Sequence, residues 1–160
     1  FISFPEATDK DLAYLSGVHQ LVLWQNENIT DSGLRSVRGV RHLSIWYCSG
    51  ITDEGIFPLV KDLDYIYLLQ VSGVTNVGFK ALSGIPHVGL PYSCVTDDVL
   101  HVLSGVKTMY LQECRLITDE GVKSLAGIHT IDLSSTYVTD KGIKSLSGVH
   151  TINLSGTEVT

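Results

Sequence analysis

One motif recurs along the 160-residue chain at almost constant spacing, and it restricts the possible folds more than any other feature of the sequence. The repeat is marked by an apolar residue once per unit, at Leu15, Val37, Leu59, Leu82, Leu103, Leu125 and Leu146. Consecutive marks are 22, 22, 23, 21, 22 and 21 residues apart. A unit this short cannot bury its own apolar face, so neighbouring units must stack. We therefore treat residues 1–160 as one repeat domain of about seven units, the last one cut short, and expect it to be part of a longer chain.

Each unit contains an alternating segment that is typical of a strand with one buried side. In "TIDLS", residues 130–134, Ile131 and Leu133 fall on one side, and Asp132 lies on the other side with the flanking Thr and Ser. A Thr-Asp or Thr-Asn pair follows, and such side chains accept hydrogen bonds from the free N–H groups at a helix start. The sequence predicts an α/β solenoid with a curved parallel sheet on its concave face and short helices on its convex face.

Glycine recurs at two positions of the unit. In the sixth copy we expect a helix from Asp119 to Leu125 that is ended by Gly127, as helices commonly are. Gly121 represents the second position, two residues after the Asp. We interpret both positions as places where the repeat needs an unusual backbone angle, because no phosphate-loop pattern is present.

Two phrases carry a resemblance to a known family. They are "CSGITDEG", Cys48 to Gly55, and "CRLITDEGVKSL", Cys114 to Leu125. They resemble the cysteine-containing subclass of leucine-rich repeats found in F-box substrate receptors of ubiquitin ligases. The resemblance covers nearly the whole chain, and it implies a leucine-rich repeat fold and a role as recognition subunit or adaptor. The units are shorter than is typical of that subclass and no F-box segment is present, so a ligase role would depend on residues outside this chain.

Composition excludes several kinds of partner. The chain has 11 Lys and Arg against 17 Asp and Glu, a net charge of -6, which argues against a nucleic-acid partner. No apolar run approaches the roughly 20 residues of a membrane span, so we expect no membrane insertion. Three widely spaced cysteines favour a reducing compartment and a cytoplasmic protein. Glycosylation patterns at Asn28 and Asn153 leave a cell-surface or secreted protein as the alternative.

We find no candidate catalytic residues, cofactor motif or metal site. No nucleophile, base and orienting group stand together, so an enzyme is not expected. Cys48 and Cys114 occupy a position that other units fill with Val or Thr, which indicates buried packing, whereas Cys94 lies one residue away and is the more exposed thiol. His129 and His150 share one unit position and should stack about 5 Å apart, without a third ligand for a metal.

The candidate site consists of positions that vary while the framework repeats. Seven of the nine Trp and Tyr residues fall at solvent-facing strand positions or directly after them, all within the first five units. Variable aromatics on a rigid scaffold are typical of a binding surface. The candidate partner-binding residues are Val22, Trp24, Trp46, Tyr47, Tyr65, Tyr67, Leu69, Tyr92 and Tyr110.

These residues predict a non-enzymatic module that captures a protein or peptide on the concave face, with flanking domains in the parent chain. Several alternatives remain open. The aromatics could form structural ladders or be covered by a missing segment of the parent chain. The domain could also be an architectural spacer in a larger repeat protein, or a receptor ectodomain that binds glycans.

Overall fold

The computed structural model describes residues 6–160 as one seven-stranded parallel sheet whose strands lie side by side in chain order. The strands are β1 (Gln20–Trp24), β2 (His42–Trp46), β3 (Tyr65–Leu69), β4 (His87–Gly89), β5 (Thr108–Tyr110), β6 (Thr130–Asp132) and β7 (Thr151–Asn153). The helices are α1 (Asp9–Leu12), α2 (Asp31–Ser36), α3 (Asp53–Ile56), α4 (Asn76–Ala81), α5 (Asp97–Val102), α6 (Asp119–Lys123) and α7 (Asp140–Ile143). Strands and short helices alternate, which confirms the predicted α/β solenoid.

The strands pair in register, so equivalent residues of successive units form columns. Leu43 lies beside Leu21 on one side and Ile66 on the other, and all three belong to the buried core. Within β3, Ile66 and Leu68 are buried, whereas Tyr67 between them is half-buried. This alternation is the predicted one: one side of the sheet packs on the helices and the other stays open.

Carboxylates link neighbouring units at the helix starts. The Thr52 N–H donates to Asp31 Oδ1 at 2.8 Å, and the Thr52 hydroxyl donates to Asp31 Oδ2 at 2.6 Å. The same hydroxyl accepts from the Glu54 N–H at 3.3 Å and so caps α3. Equivalent bonds join Asp9–Thr30, Asp53–Thr75, Asp97–Thr118, Asp119–Thr139 and Asp140–Thr160. The Thr is the helix cap, as expected, but the Asp, which is the first helical residue, binds the next unit.

One set of glycines lies two residues after the Asp or Asn that begins a helix. Their role differs from the unusual backbone angle predicted from the sequence. Gly55 has no left-handed backbone angle; instead, a methyl group on it would overlap the Asp31 carboxylate. Gly33, Gly55, Gly78, Gly121 and Gly142 all face the carboxylate of the preceding unit in this way. The interpretation by unusual backbone angles is wrong for this set, because the requirement is room for a neighbouring side chain.

One unit breaks the pattern in a consistent manner. Where the preceding unit carries Asn76 instead of Asp, the glycine position is filled by the fully buried Val99. The Asn76 amide donates to the Thr96 hydroxyl at 3.2 Å. The glycine therefore accompanies the carboxylate and is absent where the carboxylate is absent.

The first glycine position, represented by Gly127, lies in a turn beyond the helix rather than at its end. Helix α6 ends at Lys123, two residues before the predicted end at Leu125. Gly127 follows with φ +84°, in the left-handed region that glycine adopts without strain, and leads into β6. The third unit, which is 23 residues long, connects α3 to β3 through a 3-10 turn at Val60–Asp62.

The Asp119 carboxylate, which links α6 to the next unit, should make the stability of the fold depend on acid pH. Burial opposes ionisation of Asp119, but hydrogen bonds from Thr139 and the Gly142 N–H, together with the charge of Lys141, outweigh it and hold the pKa of Asp119 below its usual value. A carboxyl with a lowered pKa in the folded state stabilises above its unfolded pKa of about 4 and loses that contribution as pH falls. We expect the melting temperature of wild type to fall more steeply between about pH 5 and pH 2 than that of Asp119→Asn. Melts followed by circular dichroism check this, and parallel pH profiles would contradict it.

Candidate binding face

The open sheet face is formed by strand residues that point away from the core. Its first row contains Gln20, His42, Tyr65, His87, Thr108, Thr130 and Thr151. Its middle row contains Val22, Ser44, Tyr67, Gly89, Tyr110, Asp132 and Asn153. Trp24, Trp46 and Leu69 form a third row at the ends of β1 to β3. The side chains change from aromatic on the earlier strands to polar on β6 and β7.

On this face the Tyr67 ring contacts two other aromatic rings, and we call Trp46, Tyr67 and Tyr110 the aromatic cluster. The Trp46–Tyr67 and Tyr67–Tyr110 ring centroids are each 6.1 Å apart, with the planes tilted by 59°. The Tyr67 ring lies over Gly89 of β4, where any side chain would collide with it. Gly89 thus leaves room for Tyr67 to reach Tyr110 across the intervening strand.

The remaining sheet-face candidates surround the cluster. The Tyr65 ring stacks on His42, with centroids 5.9 Å apart. Leu69 and Trp24 flank Trp46 in the strand register, and Trp24 is 43% exposed. Val22 is half-buried in the middle row of β1.

The hydroxyl groups of Tyr65 and Tyr67 are harder to ionise than that of a free tyrosine, because both residues are partly buried. Burial is the main cause that raises the pKa of both Tyr65 and Tyr67 above the usual value for tyrosine. The two side chains therefore stay neutral at physiological pH. Each offers an apolar ring together with a hydroxyl that can donate or accept a hydrogen bond.

Tyr47 and Tyr92 lie at the rim of the sheet rather than on its face. Their φ angles are +56° and +55°, and their side chains are 43% and 53% exposed. The same position has positive φ in every unit: Gln25, Tyr47, Gln70, Tyr92, Glu113, Ser135 and Gly156. The sequence prediction grouped it with the sheet columns, because only the last unit carries the glycine that normally signals such a turn.

The left-handed turn gives a stability prediction. Tyr47→Gly should raise the free energy of unfolding by up to about 1 kcal/mol, because relief of left-handed strain, about 1–2 kcal/mol, exceeds the added chain entropy of glycine. Trp46→Gly, one residue earlier and inside β2, should lower it, because a strand position loses its side-chain packing. Urea unfolding of both variants measures the difference, and destabilisation of equal size would rule out the strain.

A carboxylate organises the polar part of the open sheet face. Asp132 Oδ2 accepts from the side-chain amides of Gln112 at 2.8 Å and Asn153 at 3.0 Å. Asp132 Oδ1 accepts from the Ser134 N–H at 2.9 Å and the Ser134 hydroxyl at 2.6 Å. This network could not be predicted from the sequence, because three successive units contribute different residue types to it.

The cysteines lie where the sequence predicts. Cys48 and Cys114 are fully buried, and burial is the main cause that raises the pKa of each thiol; Cys94 is exposed. The expected histidine stacking is also present, with the His129 and His150 rings 4.2 Å apart and nearly parallel. Within residues 6–160, no three His, Cys, Asp or Glu side chains are grouped so as to hold a metal ion.

Comparison with known proteins bears on the fold. The family described as Leucine Rich repeat matches residues 106–126, a segment that contains β5 and α6. No curated protein matches the chain. In the described part of the chain, no helix has the length and apolar character needed to cross a bilayer. The matched repeat and the seven parallel strands alternating with short helices identify the fold as a leucine-rich repeat solenoid, a scaffold that commonly mediates protein–protein binding.

Proposed function

We propose that this chain is a non-enzymatic binding module that captures a protein or peptide segment on the aromatic cluster and its neighbours on the open sheet face. The observation that carries the proposal is the contact of Trp46, Tyr67 and Tyr110 outside the core, with each ring half-buried. Trp and Tyr bury large areas and can keep a hydrogen bond, so they dominate binding energies when a partner covers them.

The framework does not require the aromatics. Strands β6 and β7 continue the same sheet with Asp132 and Asn153 in the row where β3 and β5 carry Tyr67 and Tyr110. Ring pairs contribute about 0.5–1.5 kcal/mol beyond area burial, so the cluster adds to stability. Glycine inside a strand lowers stability, however, and Gly89 gives Tyr67 its position. This combination favours a surface shaped for a partner over a ladder that only stabilises the sheet.

The surrounding candidates extend the proposed surface. Val22, Trp24, Tyr65 and Leu69 continue it along β1 to β3, and the rim tyrosines Tyr47 and Tyr92 border it. A cytoplasmic recognition subunit or adaptor with flanking domains, as in the subclass that the sequence resembles, is the setting we propose for it.

Affinity capture from lysate tests the proposal. We would compare wild type with Trp24→Ala/Trp46→Ala/Tyr67→Ala, after circular dichroism shows that both are folded. A matched control, Thr108→Ala/Thr130→Ala/Thr151→Ala, alters the first row of β5 to β7 instead. We expect the same proteins with wild type and control and their loss with the aromatic triple variant. Identical capture by all three chains, or no capture by wild type, would refute binding at this face and favour a spacer.

A further inference from the structure

The aromatic cluster ends beside a negative charge that forms no salt bridge within residues 6–160. Tyr110 of β5 lies next to Asp132 of β6 in the register. All the hydrogen bonds that the Asp132 carboxylate accepts come from neutral groups, on Gln112, Ser134 and Asn153. The salt bridges formed among residues 6–160 involve other acids, Glu54, Asp64, Glu113 and Glu120. The open sheet face therefore joins an apolar aromatic area to a fixed anionic point.

The carboxylate is held in a defined position. Donors from three successive units converge on it, with Gln112 on one side and Asn153 on the other. Its four acceptor positions are already used by these donors, so a Lys or Arg is attracted by the charge rather than by new hydrogen bonds, and little ordering of the carboxylate remains to be done on binding. A cation placed there also lies near Tyr110, and an aromatic ring attracts cations.

We infer that the partner is an extended peptide segment that places an apolar side chain on Trp46 and Tyr67 and a Lys or Arg at Asp132. This inference rests on the proposed function and adds the chemistry of the partner. Three strand spacings separate Tyr67 on β3 from Asp132 on β6, which is about 14 Å at 4.8 Å per strand. An extended chain advances about 3.3 Å per residue, so about four residues separate the two anchors in a segment that crosses the strands.

The charge of the whole chain favours the same partner. A net charge of -6 attracts basic segments and speeds their association at low salt. Binding should therefore weaken as salt increases, because the anchor at Asp132 is only partly buried and is screened.

The probe for the test is a displayed library of short random peptides, selected in parallel on wild type, Asp132→Asn and Trp46→Ala/Tyr67→Ala. Asp98→Asn is the matched control, because it removes the same charge from the exposed surface of α5. We expect wild type and Asp98→Asn to enrich an aromatic or aliphatic residue about four positions from a Lys or Arg. On Asp132→Asn only the basic preference should disappear.

Two kinds of result would count against the account, and they separate the inference from the proposed function. Enrichment of apolar residues without a basic preference on wild type, or with one that Asp132→Asn retains, overturns the inference and leaves the proposed function standing. Enrichment of the same peptides on Trp46→Ala/Tyr67→Ala, or of none on wild type, overturns the proposed function itself.

A binding cycle separates charge recognition from a structural effect of Asp132→Asn. An enriched peptide and its analogue with norleucine at the basic position would be titrated by fluorescence polarisation against wild type and Asp132→Asn. We expect Asp132→Asn to weaken binding of the basic peptide by about tenfold and to leave binding of the norleucine peptide almost unchanged. The difference between the two peptides should become smaller at high salt. Equal weakening of both peptides would show that Asp132 only supports the sheet, and would overturn the inference.

Discussion

Tyr67→Ala should weaken binding of a captured partner by about 30-fold or more, the effect of losing an interface residue worth at least 2 kcal/mol. Tyr67 contacts both other members of the aromatic cluster, so its removal also separates Trp46 from Tyr110. The ring lies outside the core, but the loss of its two ring contacts should cost about 1–3 kcal/mol, so the melting temperature should fall by several degrees with the fold retained. Isothermal titration calorimetry of the folded variant measures the affinity.

Two tyrosine variants are controls for this result. Tyr67→Phe keeps the ring contacts and should retain most of the affinity. Tyr137→Ala removes an exposed tyrosine that belongs to the loop after β6 and should bind like wild type. If Tyr67→Ala binds the partner with the same affinity as wild type, the aromatic cluster is not part of the interface.

Gly55→Ala should destabilise the solenoid by about 1–3 kcal/mol, the usual cost of overpacking a site. The added methyl group would overlap the Asp31 carboxylate, which is fixed by its two bonds to Thr52. With Asp31→Ala already present, the carboxylate is gone and the backbone Cα of residue 31, at 3.1 Å, is the tight contact that remains. The same substitution should then be much less destabilising, because the better helix propensity of alanine offsets part of that remaining crowding. Chemical unfolding of the two single variants and the double variant measures the difference.

Asp53→Ala supplies the matched background for this cycle. It removes the equivalent carboxylate of the next pair, which faces Gly78 rather than Gly55. Gly55→Ala should remain destabilising there. Destabilisation of equal size in all three backgrounds would show that the glycine is needed for another reason than the carboxylate.

The period and the alternation were sufficient to predict the fold. Spacings of 21 to 23 residues require stacked units, and the strand register follows because equivalent residues such as Leu43 and Ile66 must meet in one core. The Thr caps were also predictable, since their side-chain chemistry acts within a few residues.

Contacts between units were harder to read from the sequence. Gly55 and Asp31 are separated by a whole repeat, so their pairing needed the structure, although the joint replacement by Val99 and Asn76 was a visible signal. The left-handed angle at Tyr47 carried no such signal, because strain that the fold imposes does not require glycine. The aromatic cluster was predicted as a patch, but the role of Gly89 in joining Tyr67 to Tyr110 depends on how the rings lean.

NMR mapping of the partner's footprint tests binding on the open sheet face most directly. The chain contains two tryptophans, Trp24 and Trp46, so their indole N–H signals report on this face without ambiguity. On addition of the captured partner or a selected peptide, we expect both indole signals and the amides of β2 to β5 to shift, while those of α2 to α6 stay in place. Shifts confined to the helices, with both indole signals unchanged, would contradict recognition by the aromatic cluster.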